Sequence, residues 1–339
     1  MHMAILDTRS RPLRDLRVSV MDQCNLRCTY CMPKEVFGTD YPFLPPEKLL
    51  NFDEIENLVR VFSSLGVKKV RITGGEPLLR KDLPHLIKRI YKIQEIEDVA
   101  LTTNGLLLGH YAGQLKDAGL KRINVSLDSL NPINYGKMNG RNFPVARVLK
   151  ALEQAASIGL QIKINMVVQR GINDGDILPL AKYCFNEGYT LRYIEFMDVG
   201  NTNGWNMEKV VPSREVLDKL QQTMSLEAVD PDYIGEVAKR YRYKNTDKEI
   251  GFISSITESY CSTCNRARIS ADGKLFTCLF ATQGTDLVSL MRNEEISNED
   301  LTQFISDLWN KRSDRYSEQR VEISKHQTKK KIEMSYIGG

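Results

Sequence analysis

The 339-residue sequence has no apolar run approaching the length of a membrane span, so no spanning helix is expected. Its N-terminus has no apolar h-region, and the first expected strand begins near Leu16. Neither a signal peptide nor a transit peptide is expected. Histidine is scarce, at four residues, and none stands in a motif, so a histidine-centred nucleophilic site is not indicated. There is no low-complexity tract, and no internal repeat beyond a β/α unit. A strong excess of one charge is also absent, with 47 Lys and Arg against 43 Asp and Glu. The net value of +4 favours an anionic ligand but does not by itself imply nucleic acid. With 42% apolar residues and a mean hydropathy of −0.35, the chain reads as a soluble globular protein. Its length suits one large domain or one domain with an extension.

Cysteine is where the sequence concentrates its chemistry. The count is seven, which is odd, and six of these fall into two tight groups. Without a secretory signal, reduced metal-binding thiols in the cytoplasm are expected rather than disulfides. Cys184, in A-K-Y-C-F of an expected helix, is left over and reads as a buried small hydrophobe. Cys24, Cys28 and Cys31 form C-N-L-R-C-T-Y-C directly after an expected strand at Leu16–Val20. Three thiolates at this spacing can face one soft metal centre. A [4Fe–4S] cube is normally held by four cysteines, so three leave one iron free for a small molecule. A structural zinc site is the alternative, but it usually takes four N or S ligands. The nearest histidines, His2 and His85, are remote.

The second group, Cys261, Cys264 and Cys278, again supplies three ligands and no fourth. The Asp272-Gly273 step turns a hairpin that returns Cys278 towards the pair. A zinc ribbon would need another C-x-x-C, and a second open-iron cluster fits better. Beside these ligands, Arg266 and Arg268 alternate along one strand and share a face, as a fork for anionic oxygens.

Strand-like runs begin near residues 15, 67, 98, 122, 161 and 190, with helical patterns between them, such as Phe52–Leu65 and Val145–Ile158. Six β/α units imply a parallel sheet with right-handed crossovers. Six is two short of a closed eightfold barrel, so a partial (β/α)6 TIM-type barrel is expected, with a doubly wound sheet as the alternative. After Asp198 the alternation fades. The expected division is therefore a core over 1–198 and an α+β extension over 199–339, with hairpins at Arg242–Ser255 and Ala267–Cys278. Several core strands are polar on one face: Arg71 with Thr73, Asn124 with Ser126 and Asp128, and Lys163 with Asn165. Unpaired burial of such groups costs about 1–3 kcal/mol each. A polar ligand in the barrel mouth removes that cost.

These features resemble one family of the radical S-adenosylmethionine (SAM) superfamily, the GTP 3′,8-cyclases or A proteins of molybdenum cofactor biosynthesis. The resemblance runs from Arg14 to Gly339. It rests on the two cysteine sets, R-I-T-G-G-E-P, L-T-T-N-G, F-M-D-V-G, C-N-R-A-R and the terminal Gly338-Gly339. It implies that Cys24, Cys28 and Cys31 hold a [4Fe–4S] cluster that binds SAM, with Tyr30, Gly75, Ser126 and Met197 as further SAM contacts. It implies that Cys261, Cys264 and Cys278 hold a second [4Fe–4S] cluster whose open iron meets the guanine of GTP. Arg17, Arg71, Thr102, Lys163, Arg266, Ala267 and Arg268 correspond to GTP contacts, and Arg192 is a further candidate. Arg17, Gly338 and Gly339 correspond to catalytic positions, the glycine pair entering the active-site pocket. The implied reaction closes a bond between ribose C3′ and guanine C8, the first step of molybdenum cofactor biosynthesis. The implied partners are a flavodoxin- or ferredoxin-type electron donor, a downstream cyclic pyranopterin monophosphate synthase and a second copy of the chain, with no nucleic acid and no membrane. The rivals are a peptide-modifying maturase with an auxiliary cluster and a zinc-stabilised nucleic-acid-binding protein.

Overall fold

Short runs with apolar residues at alternate positions build the sheet. The strands are β1 (Asp15–Ser19), β2 (Lys69–Thr73), β3 (Asp98–Thr103), β4 (Arg122–Ser126), β5 (Gln161–Val168) and β6 (Thr190–Glu195). In this computed structural model, which describes residues 5–320 and 330–338, they pair in parallel in chain order. A doubly wound sheet would reverse that order partway, and this one does not. One face of each strand, carrying residues such as Leu16, Val18, Val70 and Ile72, is buried against the helices. The opposite face carries the polar residues noted above.

Helices α1 (Phe52–Ser64), α2 (Leu83–Tyr91), α3 (Leu108–Asp117), α4 (Pro132–Met138), α5 (Val145–Ser157) and α6 (Ile177–Glu187) fill the crossovers. Asn51 and Glu54 form a capping box that starts α1, so two of its otherwise orphaned N–H groups are satisfied. Leu58, Val59 and Phe62 of the same helix then pack on the sheet. Cys184 sits in α6 at 1% exposure, as a packed hydrophobe.

The residues after 198 extend the same sheet at both ends. Strands β7 (Leu226–Val229), β8 (Lys239–Tyr243) and β9 (Glu249–Ile253) form an antiparallel meander, and β9 then runs parallel to β6. At the other end β10 (Arg266–Ile269) runs parallel to β1, followed by β11 (Lys274–Phe276) and β12 (Thr285–Asp286). Both expected hairpins are present, as β8–β9 and β10–β11. The sheet therefore holds eight adjacent parallel strands, β10-β1-β2-β3-β4-β5-β6-β9, and remains open because β10 and β9, at the two ends of that run, pair with β11 and β8 rather than with each other. Helices α7 (Ser213–Gln221), α8 (Val288–Met291) and α9 (Asn298–Asn310) cover the extension, and a one-turn helix, α10 (Met334–Ile337), packs against β1 near the chain end. No helix among the described residues is long and apolar enough to cross a membrane. Gly339, and Lys325 to Lys329 of the basic segment before the tail, lie outside the described residues.

Candidate active site

The polar faces of the parallel strands converge on a cavity of about 220 Å³. Its wall carries five arginines, Arg17, Arg71, Arg192, Arg266 and Arg268, against one carboxylate, Glu195. That carboxylate is already engaged by the N–H groups of Ser213, Ile256 and Thr257 and by the Thr257 hydroxyl. Strand register aligns Arg268, Arg17 and Arg71 side by side across β10, β1 and β2. Adjacent strands lie about 4.8 Å apart, and like charges directly opposite one another are destabilising. Burial, and then the charges of Arg268, Arg71 and Arg266, hold the Arg17 guanidinium well below its ordinary range. Burial and Arg266 bring Arg268 down to about 10, and burial with Arg71 brings Arg192 to about 9. Arg71 Nε, Arg192 Nε, Thr102 Oγ1 and Asn165 Oδ1 are buried here with no hydrogen-bond partner among the described residues. A dense, partly unsatisfied cationic wall is matched by a polyanion.

Cys24, Cys28 and Cys31 line the same cavity just beyond the C-terminal end of β1. All three thiols are free, and burial pushes Cys24 up to about 11, Cys31 to about 12 and Cys28 well above its ordinary value. Tyr30 is 8% exposed, and its hydroxyl donates to Asp128 Oδ2 at 2.7 Å. Gly75 donates its N–H to Met21 O, and a Cβ there would stand 2.2 Å from Gln23 O. Only glycine lets the β2 turn close onto the loop that leads to Cys24. Ser126 and Met197 complete this wall.

The second set lies at the other end of the strands. Cys264 stands two residues before β10, whose Arg266 is level with Asp15 at the start of β1. At the usual rise per residue the two cysteine sets are roughly 20 Å apart along the strand direction. Cys261, Cys264 and Cys278 are also free. Burial alone would raise the Cys264 thiol, but Arg266 and Arg312 bring it down to about 6. Arg266 Nη2 donates to Cys264 Sγ at 3.2 Å from the cavity side, and Arg312 Nη2 donates at 3.3 Å from behind. Among the described residues no three His, Cys, Asp or Glu side chains close around a point as ligands of one ion do. A cube takes one thiolate per iron corner and asks for a wider spread. Two sets of free thiols, one walling the arginine-lined cavity and one beside it in which Cys264 is pulled towards thiolate while burial pushes Cys278 up to about 12, fit such clusters.

Residues of α10 reach the cavity. Met334 and Ser335 are part of its wall, and the Gly338 carbonyl accepts from Arg268 Nη1. Gly338 has φ +72, and a Cβ there would stand 2.2 Å from Thr73 Cγ2, so glycine is required on both counts. Upstream, Lys331 Nζ donates to Asp198 Oδ2 at 2.9 Å, and Glu333 accepts from Asn201 N at 3.0 Å.

Two expected contacts sit elsewhere. Lys163 shares a face with Asn165 but stands below the cavity wall; burial and the charge of Arg192 bring it down to about 8. The Ala267 side chain turns into the apolar core between Arg266 and Arg268, which leaves only its backbone for a ligand. Glu195, Asp128 and Arg312 were not singled out as site residues from the sequence. Glu195 and Arg312 stand in no recognisable motif. Only the alternation along β4 marked Asp128, as one of three polar residues on a face.

A parallel β/α sheet with three open thiols past its first strand defines the class: residues 18–184 match the Radical SAM superfamily. The fold is shared with Streptococcus suis SuiB bound to S-adenosylmethionine, at TM-score 0.58 and 16% identity over 92% of this chain and 68% of that one. Residues 189–318 match Molybdenum Cofactor Synthesis C. Over 337 residues, 99% of each chain, the sequence is 50% identical to a protein named GTP 3′,8-cyclase from Staphylococcus saprophyticus and to another of that name from Staphylococcus carnosus. The chain therefore belongs to the GTP 3′,8-cyclase family of radical SAM enzymes.

Proposed function

We propose that this chain converts GTP to 3′,8-cyclo-7,8-dihydro-GTP, the first step of molybdenum cofactor biosynthesis. The carrying observation is the row Arg268–Arg17–Arg71, a cationic strip without an ion pair among the described residues, between two sets of free thiols. Residues 1–198 form the part that takes SAM, and residues 199–339 bring the second thiol set and the tail.

Cys24, Cys28 and Cys31 would hold one [4Fe–4S] cluster, and Cys261, Cys264 and Cys278 a second. Bound cluster and SAM supply the carbon-centred radical that takes hydrogen from C3′ and so allows C3′ to bond to C8. The protein's own work is placement. Tyr30, Gly75, Ser126 and Met197 form the wall against which SAM is held. Arg17, Arg71, Arg266 and Arg268 grip the triphosphate by charge-assisted hydrogen bonds. Thr102 and Arg192 offer unpartnered donors to it, and Lys163 adds charge from below. Gly338 packs against Thr73, and the role assigned to Gly338 and Gly339 is to keep solvent from the reacting atoms. A flavodoxin- or ferredoxin-type protein supplies electrons, cyclic pyranopterin monophosphate synthase takes the product, and the chain works as a homodimer in the cytoplasm.

The test is anaerobic incubation with GTP, SAM and a strong reductant, followed by identification of the nucleotide product. Recovery of unchanged GTP alongside 5′-deoxyadenosine would overturn the substrate assignment. The rival maturase reading predicts turnover of a peptide instead.

A further inference from the structure

Behind the second thiol set lies a buried ionic group that the reaction does not use. Asp7 accepts from Arg11 Nε at 2.6 Å and from Arg312 Nη1 at 3.2 Å, and all three side chains are at most 1% exposed. Each arginine then reaches past Asp7 to a cysteine of the C-S-T-C turn. Arg11 Nη1 donates to Cys261 O at 2.6 Å. Arg312 Nη1 donates to Cys264 O at 2.7 Å, and its Nη2 donates to Cys264 Sγ at 3.3 Å. The Arg312 guanidinium is held flat by Trp309, 4.5 Å below it, and by Asp314.

Burying three charges is costly unless the geometry is tight and the donors are used, and here every Arg312 nitrogen donates while Arg11 Nη2 alone of the group has no partner among the described residues. If the group merely joined the chain's N-terminal segment to the end of α9, the Asp7 pairs would suffice. The extra N–H···S bond has a different consequence. It withdraws electron density from the one sulfur that Arg266 also touches from the cavity side. Hydrogen bonds to ligand sulfurs are one of the factors that set the potential of an iron–sulfur cluster.

We propose that Arg312, held by Asp7, is a positioning residue that fixes Cys264 and raises the reduction potential of a cluster bound at the second thiol set. This rests on the two-cluster reading above. Arg312 touches neither substrate nor reacting atoms, and acts through the Cys264 sulfur.

The experiment uses the full-length chain with Cys24→Ala, Cys28→Ala and Cys31→Ala, reconstituted anaerobically, so that only the second set can bind. Iron content is measured first, then the midpoint potential by an EPR-monitored redox titration. About four irons are expected. Arg312→Gln in this background should shift the reduction equilibrium about tenfold towards the oxidised form, a fall of about 59 mV for one electron. Arg312→Lys keeps a cation beside Asp7 but not the fork. It should fall by less in the same direction, and it gives the reading in a chain that retains iron if the Gln variant does not. An unchanged potential in iron-loaded variants would overturn the role of Arg312 and leave the second cluster standing. Absence of iron with Arg312 intact would overturn both.

Discussion

The two cysteine sets share a donor count and differ in what surrounds them. The first is enclosed by Tyr30, Met138 and Phe196, and no arginine reaches its sulfurs. Arg27, from the same loop, spends its Nη1 donor on the carbonyls of Cys24 and Leu26. The second meets guanidinium groups from two directions at Cys264. The expected ligands explain the contrast. SAM carries a sulfonium cation, which a wall of arginines would repel. GTP carries a polyanion, which needs one. The five arginines are accordingly spaced along β1, β2, β6 and β10, between the sets, and away from the Cys24 loop.

The comparison breaks most visibly through the cysteines themselves. Cys24→Ala is expected to abolish cleavage of SAM. Cys261→Ala should leave 5′-deoxyadenosine detectable while removing the cyclised nucleotide. Each variant should retain about four irons. Equal loss of SAM cleavage in two folded variants would mean that the sets do not divide the work.

The tail is the next largest effect. Deleting Gly338-Gly339 should lower product formation sharply, with cluster content and thermal stability near wild type, because Gly338 meets Thr73 and Arg268 beside the cavity rather than the helices behind the sheet. Gly338→Ala should act in the same direction, since its Cβ meets Thr73 and its φ is +72. Normal turnover by the truncated chain would leave the tail with no part in catalysis. Arg268→Ala comes third. Loss of one charge-assisted contact should cost about 1.5–3 kcal/mol, or roughly ten- to a hundredfold in GTP affinity. Equilibrium binding of GTP to the anaerobic protein checks this, and SAM affinity should not follow.

Much of this arrangement is readable along the chain. The six strand starts, the polar faces, the pairing of Arg266 with Arg268 and the lone Cys184 follow from period-two alternation and cysteine spacing. What escapes such reading is long-range. Nothing local in R-A-R-I shows that β10 joins the edge at β1, which alone aligns Arg268 with Arg17 and puts the cysteine sets at opposite strand ends. Alternation correctly gives Lys163 and Asn165 one face, but cannot tell that two residues along a strand separate a cavity wall from the packed layer below it. Arg312 and Asp7 are 305 residues apart, and neither position means anything until the chain folds.

The smallest expected effect concerns Asp198, which ties the tail to the half of the molecule holding the second set. Its Oδ2 accepts from the Tyr316 hydroxyl at 2.6 Å and from Lys331, and its Oδ1 accepts from Arg320 at 2.9 Å. Burial alone would raise this carboxyl, but those hydrogen bonds and charges hold it below its ordinary value of 3.8. A depressed carboxyl contributes stability that is fully present above pH 3.8 and is lost as pH falls through its lower folded value. Tyr316→Phe removes one donor to the carboxylate and leaves the two cations in place, so the loss should be about 1.5 kcal/mol, the low end for a hydrogen bond to a charged group. The difference from wild type in urea unfolding should be constant from neutral pH down to about pH 5, and should shrink only in the acid range where Asp198 takes up its proton. Iron content at the first set should not change, because none of the Asp198 partners touches it. A variant that lost iron there would show that the tail network and the first cysteine loop are one cooperative unit, and that the two halves are less separable than their surroundings suggest.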